Sequence, residues 1–396
     1  MIGGVLVGGV LAVYAALLSL ASLSYFAAPY LWIAVIWASV FFCGLVVMPR
    51  ARTLWISLAT LLCALAAAEG SSWVSATREL SYVRKEGTFA WVRDDLLGYV
   101  AAKGVSQTET KFYRGKKLYD VVYSMDANGL RISSPHAPSP EAKKRCVLFF
   151  GDSYTFGWGL NDKDTMPYRV AVRSDEQYRV YNLAFMTHGA HQMLAALEHG
   201  LTTKVVDCAV RDVKYVIYSA TSDHVRRAAG LREMDLYRGP RYVLGADGGV
   251  SYQGQFGAKR SEVERIERLL TKSFFYRRLV GGDAIYYRRT NSKDVALYLA
   301  IVDSARRRVK GLYPDAEFHV LFWGNDALGL DKDGWLAKQM LDGLREEGLS
   351  VHLVNDILPG ADDNSPDYLM VHFSLHPNAE ANDRIGEYVA QRILKQ

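Results

Sequence analysis

Residues 146–159 read CVLFFGDSYTFGWG. Five apolar side chains, Cys146 to Phe150, follow one another without the polar alternation of a half-exposed strand. A run of this kind, stopped by glycine, fits a strand covered on both faces of a parallel sheet. The chain then passes through Gly151, Asp152 and Ser153 into a helix-compatible stretch. Ser153 is thereby expected at the carboxyl end of a strand, the edge of an open α/β sheet where ligands bind. Amide donors at the start of the following helix suit a developing oxyanion.

Outward from this stretch the same pattern recurs. YRVYNLAF (178–185), VKYVIYSA (213–220), EFHVLFW (317–323) and SVHLV (350–354) are short apolar runs with helical patterns between or after them. AEANDRIGEYVAQRIL (379–394) reads as an amphipathic closing helix. Continuous apolar strands alternating with helices predict a three-layer α/β/α fold around a parallel sheet. Upstream, SPHAPSPEAKK (134–144) is rich in Pro, Ser and charge and marks the boundary of this domain, 145–396. Residues 76–144 read as an N-terminal elaboration and linker, with a strand around Tyr119 to Tyr123.

An insertion at about 225–290 separates the third strand from the fourth and carries 14 Lys and Arg against 7 Asp and Glu. Ser261 and Glu264 have capping-box spacing and predict a helix start there. Arg226, Arg227, Arg277, Arg278, Arg288 and Arg289 suit either a solvated face or contact with anionic glycan or lipid headgroups.

A serine hydroxyl is a poor nucleophile at neutral pH and needs a base within hydrogen-bond reach. His376, in SLHPNAEAN just before the closing helix, is the candidate. GDSYTFGWG resembles the first block of the GDSL/SGNH hydrolases, and HPNAEAN resembles their last block. The similarity spans roughly residues 145–396. It implies the SGNH-hydrolase-like (flavodoxin-like) fold, Ser153 as nucleophile, His376 as general base, and hydrolysis or transfer of acyl esters with no metal or organic cofactor. Substrates in that family are often lipids, glycans or carbohydrate O-acetyl groups.

The chain departs from the family pattern at the supporting positions. The block-two glycine is expected near Thr187, with Gly189 two residues on. After the third strand the family usually places an Asn, where this chain has ATSDHVRR, with Ser222, Asp223 and His224. Ser222 can donate a hydrogen bond, and Asp152 completes the candidate oxyanion or substrate-binding set. GND at 324–326 follows the fourth strand and is read as a decoy. The Asp that usually precedes the histidine is replaced by Phe373 and Ser374, which leaves Asp363 or Asp367 to orient the imidazole, or a Ser-His dyad. His188, His191 and His224 invite a zinc reading, but the spaced HExxH type of motif is missing, so they are read as polar lining of the serine pocket. His224, Arg226 and Arg227 either reach a substrate carboxylate or phosphate or anchor the insertion.

The chain has 396 residues and a net charge of +5, and its mean hydropathy near zero averages two unlike halves. Residues 1–75 hold only Arg50, Arg52 and Glu69 as charged side chains. Apolar runs at Ile2–Leu23, Tyr30–Val47 and Thr53–Ala68 are each near the roughly 20 residues a bilayer crossing needs. They predict a three-helix transmembrane anchor over 1–75. MIGGVLVGG lacks the basic start of a signal peptide. The two arginines of MPRAR place that loop in the cytoplasm, so the large domain is expected outside it. Gly4 and Gly8 have GxxxG spacing, which fits helix–helix approach as well as a glycine-tolerant membrane helix. Cys146 and Cys208 are expected as buried thiols, since two cysteines do not make a framework.

Two functions from different classes are compatible with these features. One is a membrane-anchored serine esterase or O-acyltransferase acting on envelope glycan or lipid acyl esters, at a bacterial inner membrane with the domain on the periplasmic or extracellular side. The other is a catalytically degenerate glycan-binding or assembly subunit whose spans pack against a membrane partner protein. Nucleic acid is not an expected partner in that compartment.

Overall fold

The computed structural model describes residues 52–394, apart from 79, 88, 136–144, 176, 232–238, 257–269, 271–272, 281–287, 325–333, 361–364 and 371–375. Its centre is a five-stranded sheet of β6 (Cys146–Phe150), β7 (Arg179–Asn182), β8 (Val213–Ala220), β11 (Glu317–Phe322) and β12 (Ser350–Leu353). The strands run parallel in the order β7-β6-β8-β11-β12. Each lies within one of the five runs expected from the sequence.

The all-apolar character of β6 has a direct cause. Cys146, Leu148 and Phe150 pack into the cluster on one face, and Val147 and Phe149 into the cluster on the other. Successive side chains of a strand point to opposite faces, so covering both faces demands apolar residues at every position. The first face is covered by α4 (Ala190–Glu198), α7 (Ser292–Leu312) and α8 (Trp335–Glu346), whose Leu194, Tyr298, Ile301 and Met340 are buried there. The second is covered by α3 (Met166–Arg173) and the closing helix α9 (Ala379–Tyr388), through Val170, Ala381 and Ile385. The order of the strands reverses direction between β6 and β8, and a crevice outside their carboxyl ends is the ligand position of such sheets. The turn after β6, α2 (Ser153–Phe156), opens there.

The N-terminal elaboration is bound tightly to this sheet. β1 (Val83–Gly87), β4 (Ser106–Tyr113) and β5 (Lys116–Ser124) form an antiparallel sheet, and β2 (Trp91–Asp94) pairs with β3 (Gly98–Ala101). Phe89, Tyr99, Tyr123, Phe156 and Phe185 meet in a third apolar cluster that joins these strands to the ends of α2 and β7. Arg131 crosses the same seam. Its guanidinium is buried, pairs with Asp162 at 3.0 Å, and donates to the carbonyls of Phe156, Gly157 and Leu160 at 2.6–2.7 Å.

In the insertion, the described elements are α5 (Asp223–Ala228), the hairpin of β9 (Pro240–Leu244) and β10 (Val250–Gln255), and α6 (Phe274–Leu279). The helix start expected at Ser261 and Glu264 lies outside the described residues. The arginines do not form one exposed anionic-ligand face. Arg226, Arg227 and Arg277 are buried, and Arg288 is paired with Asp294 at 2.8 Å. Burial is imposed on Arg227 by its acidic partners inside the protein, Asp152 and Asp223.

The first two expected membrane spans lie outside the described residues. The third falls in α1 (Arg52–Thr77), 26 residues long. Among the described residues no helix is long and apolar enough to cross a membrane. Near the end of α1, Glu69 accepts hydrogen bonds from the Ser273 hydroxyl (2.6 Å) and the amides of Phe274 (2.8 Å) and Phe275 (3.1 Å). A carboxylate at these otherwise unpaired first-turn amides caps α6 and ties α1 to the insertion.

Cys146 and Cys208 are joined in a disulfide, which corrects the expectation of two thiols. Only the fold decides this. The turn before β8 brings Cys208 back beside the first residue of β6, with Cα atoms 6.7 Å apart at a sequence separation of 62. Closing a loop of that length removes unfolded-state entropy worth about 4 kcal/mol in the chain-entropy account. Replacing both cysteines by serine should therefore lower the unfolding free energy by about 2–4 kcal/mol in denaturant titration. An unchanged midpoint with an unchanged slope would show that the bridge does not constrain the chain.

Candidate active site

Ser153 is the first residue of α2, directly after Asp152, whose side chain accepts from the Tyr154 amide at 2.9 Å and caps the turn. Gly151 permits the approach. A Cβ there would meet the Thr155 hydroxyl oxygen at 2.5 Å and the Ser219 Cβ at 3.2 Å, so only glycine lets the turn sit over β8. After α2 the backbone turns at Gly157, with φ +81° and room for no Cβ against Thr165 (2.4 Å). Arg131 holds the carbonyls of this turn, which carries Trp158.

His376, 223 residues away, lies beside this turn. Its Nε2 stands 2.8 Å from the Ser153 Oγ. The imidazole is gripped by Tyr154 and Trp158, both roughly edge-on, at ring-centroid distances of 5.2 and 5.1 Å. Two backbone contacts place its segment: the Met370 amide donates to the His376 carbonyl at 2.8 Å, and Leu369 bridges to Pro377. Asn378 then caps α9 by accepting from the Ala381 amide at 3.0 Å. A hydroxyl hydrogen-bonded to an imidazole nitrogen at this distance is the arrangement needed for nucleophilic catalysis by serine.

The Asp152 carboxylate points into the protein and is 2 % exposed. Its Oδ2 lies 3.1 Å from Arg227 and 3.2 Å from the His224 Nε2. Burial by itself would raise its pKa, but the opposing charges of His224 and Arg227 and the Tyr154 amide hold it well below the usual carboxylate range. Arg227 also grips Asp223 one helical turn earlier (2.5 Å) and donates to the His188 carbonyl (2.6 Å). On the other side, the His224 Nδ1 is 2.6 Å from the Tyr218 hydroxyl, to which the Tyr298 hydroxyl donates at 3.5 Å.

The remaining expected site residues fall in several places. Asp152, Asp223 and His224 belong to the buried network beneath Ser153. Ser222 is buried at the N-cap position of α5, where its side chain makes no capping bond. The Gly189 amide donates to the Gln192 side chain at 2.8 Å, at the start of α4. Thr187 has the uncommon φ of +66°, and its buried hydroxyl has no hydrogen-bond partner. A β-branched residue in the left-handed region is strained and implies that its surroundings hold it there. Asp363 and the GND residues Asn325 and Asp326 lie outside the described residues. Asp367 is exposed, and its carbonyl accepts from Asn378 at 2.8 Å.

His188 and His191 do not converge as metal ligands. The His188 Nε2 donates to the Tyr99 carbonyl at 2.9 Å, while both nitrogens of His191 are buried without partners and its ring faces Phe256. Among the described residues, no group of three or more His, Cys, Asp or Glu side chains is placed to hold a metal ion. Beside His188, a largely apolar cavity of about 170 Å³ runs between β3 and α4, with Val100, Leu130, Phe150, Phe185 and Met193 in its walls and Gly151 at its edge.

Three supports of the dyad escaped the sequence reading: Trp158, Glu109 and Arg131. Glu109 accepts from the Trp158 indole (2.9 Å) and from the Tyr119 hydroxyl. A signal for it existed. The inward-facing positions of β4 include Glu109 and Lys111, both buried, where an ordinary half-covered strand places apolar residues.

No family model matches this sequence, and no curated protein does. Solved structures with a similar chain path include a member of the lipolytic protein G-D-S-L family from Veillonella parvula, at 12 % identity and TM-score 0.35, covering 64 % of this chain and 98 % of that one. Another is a catalytic mutant of an acetylxylan esterase from Geobacillus stearothermophilus, at 10 % identity and TM-score 0.36, covering 65 % and 98 %. A third is a carbohydrate esterase family 2 enzyme with a carbohydrate-binding domain from Corynascus thermopiles, at 15 % identity and TM-score 0.32, covering 72 % and 71 %. The geometry of the dyad, and not these likenesses, carries the chemistry of the site.

The buried histidines set a pH limit on stability. Burial, above the other influences on it, pushes the His188 pKa down to about 4, and burial holds His191 well below the ordinary histidine range. A pKa depressed on folding means that the unfolded chain binds the proton more tightly. The contribution is thus complete above about pH 6.5 and is lost as pH falls toward 4. For His188 alone it amounts to about 3 kcal/mol. Denaturant midpoints measured from pH 7 to 4.5 should fall, and fall less steeply in His188→Gln, whose amide nitrogen can take the place of Nε2 toward the Tyr99 carbonyl. Parallel curves for the two proteins would show that His188 does not carry the effect.

Proposed function

We propose that this chain is a serine esterase or O-acyltransferase that acts on acyl esters of cell-envelope glycan or lipid through an acyl-serine intermediate. The observation that carries this reading is the 2.8 Å contact between the Ser153 Oγ and the His376 Nε2 across 223 residues of sequence. His376 accepts the Ser153 proton as Oγ bonds to the acyl carbon, and returns it to the departing alcohol as the carbon–oxygen bond breaks. Water or a second hydroxyl, deprotonated by the same imidazole, then releases the acyl group, so hydrolysis and transfer share one site. Removing a single oxyanion donor typically costs about 2.7–4 kcal/mol in the transition state, so the absence of the usual Asn by itself slows a hydrolase without abolishing it.

The apolar runs within residues 1–75 and the arginines of MPRAR support a multi-pass anchor in a bacterial inner membrane, with the domain on the periplasmic or extracellular side. The Cys146–Cys208 disulfide supports the same placement, because such bonds persist in oxidising compartments.

Full-length wild type should turn over p-nitrophenyl acetate and be labelled by a fluorophosphonate. Ser153→Ala and His376→Ala should each lower kcat by roughly a thousandfold or more, and labelling should vanish in Ser153→Ala. Turnover that persists in both variants would overturn the assignment. Absence of turnover and labelling in folded wild type would favour the binding-subunit alternative. For the topology, protease added to intact spheroplasts should release a fragment containing Ser153; full protection until lysis would place the domain in the cytoplasm.

A further inference from the structure

The cavity of about 170 Å³ between β3 and α4 lies apart from the dyad. Its walls join two apolar clusters. Phe150 and Met193 belong to the cluster on the first face of the central sheet, and Ala101 and Phe185 to the one that ties the N-terminal strands to the ends of α2 and β7. Tyr154, which meets the His376 imidazole, packs into the cluster on the opposite face of the sheet. Neither Ser153 nor His376 is among the described residues that line the space. A molecule held there occupies a second site.

Close-packed interiors hold few voids larger than a water molecule, and an empty one forgoes dispersion contacts along its whole lining. Three of the wall residues are buried alanines, Ala101, Ala184 and Ala196, so side-chain length is lacking where the space opens. Water is a poor filler, because a buried water needs several polar partners. The His188 Nε2 already meets the Tyr99 carbonyl, the Gln192 side chain accepts from the Gly189 amide, and the Asp94 Oδ1 accepts from the amides of Leu96 and Leu97. An apolar cavity of roughly 150 Å³ stays dry and takes up benzene or xenon. The walls reach solvent at Lys103 and Asn128, both exposed, and the half-buried Asp94 shares that lining. One ammonium, one carboxylate and one amide give no net preference for a charged head group.

We infer that this cavity is a second ligand site, for a neutral molecule with a compact apolar body of about six to eight non-hydrogen atoms and one hydrogen-bonding end directed to the rim. The inference does not depend on the esterase reading. The site touches the segments that place the dyad. Gly151 at its edge precedes Asp152 and Ser153, while Phe185, His188 and Gly189 flank Thr187, whose φ of +66° has to be held by its surroundings. Arg227 joins the same segment to the nucleophile turn, since it donates to both the His188 carbonyl and Asp152. An occupant braces residues 183–189 and stabilises the folded chain by mass action.

The test uses the full-length chain. Crystals pressurised with xenon should show the gas in the space lined by Ala196 and Phe185. In mild detergent, cyclohexanol is the solution probe, with cyclohexylamine and cyclohexanecarboxylate as charged counterparts. The thermal midpoint of wild type should rise with cyclohexanol, with a dissociation constant of roughly a millimolar. Ala196→Leu fills the space and should bind roughly tenfold more weakly or worse. Detergent takes up the alcohol equally in both samples, so the difference between them reports the cavity. Amide exchange over residues 183–189 should slow with cyclohexanol in wild type and not in Ala196→Leu. Met193→Ala enlarges the space and should extend binding to cyclooctanol, which keeps the site testable where leucine at position 196 does not fold. A charged counterpart that binds as tightly as the alcohol would overturn the neutral head group. Xenon absent from the cavity, or midpoints that respond equally in wild type and Ala196→Leu, would overturn the site.

Discussion

The buried carboxylate of Asp152 is the constraint on which the rest of the site depends. One of its oxygens caps the turn that carries Ser153, and the other is shared between Arg227 and His224. Those two partners come from α5, after β8, and Arg227 reaches on to Asp223 and to the His188 carbonyl, after β7. One charge network therefore ties together the segments after three parallel strands. Taking such a carboxylate out of water is tolerable only when its partners are fixed in place, and removing one of them leaves an uncompensated buried charge. The position of Ser153 is thus set from beneath, by this buried network.

From above, the dyad is set by the N-terminal sheet. Glu109 holds Trp158, Arg131 holds the carbonyls of the same turn, and Trp158 with Tyr154 fixes the imidazole plane. The strands β1–β5 and Arg131 are thereby joined to the site and are not an appendage to it. The same strands bring Lys85 and Lys111 against the Trp158 ring. The insertion has a comparable double duty: its buried arginines face inward, and its helix α6 receives Glu69 of α1. Function assigned to charge counts alone would have put those arginines on the surface.

Much of the central domain was legible because its determinants are local. Both-face burial forces the unbroken apolar runs that mark β6, β7, β8, β11 and β12, and the period of α9 is set by one covered face. Ser153 followed from the strand-to-turn junction, and His376 from the block it resembles just before the closing helix. The disulfide was not legible, since Cys146 and Cys208 meet only when β6 and the approach to β8 are paired. Nor were the inward targets of Arg227, because a sequence records charge without direction.

What the sequence by itself determined is the α/β character of residues 145–394, the order of its strands along the chain, and the two side chains that meet as a dyad. The first two depend on periodicity, glycine placement and residue type, which act over a few neighbours; the dyad was named from the family blocks that the two stretches resemble. Tertiary structure alone decided which strand lies beside which, what Asp152 pairs with, and that Glu109, Lys85 and Lys111 come to the catalytic edge. Each of those contacts joins groups from separate elements, and its energy exists only after the backbone has brought them within hydrogen-bonding or Coulombic range.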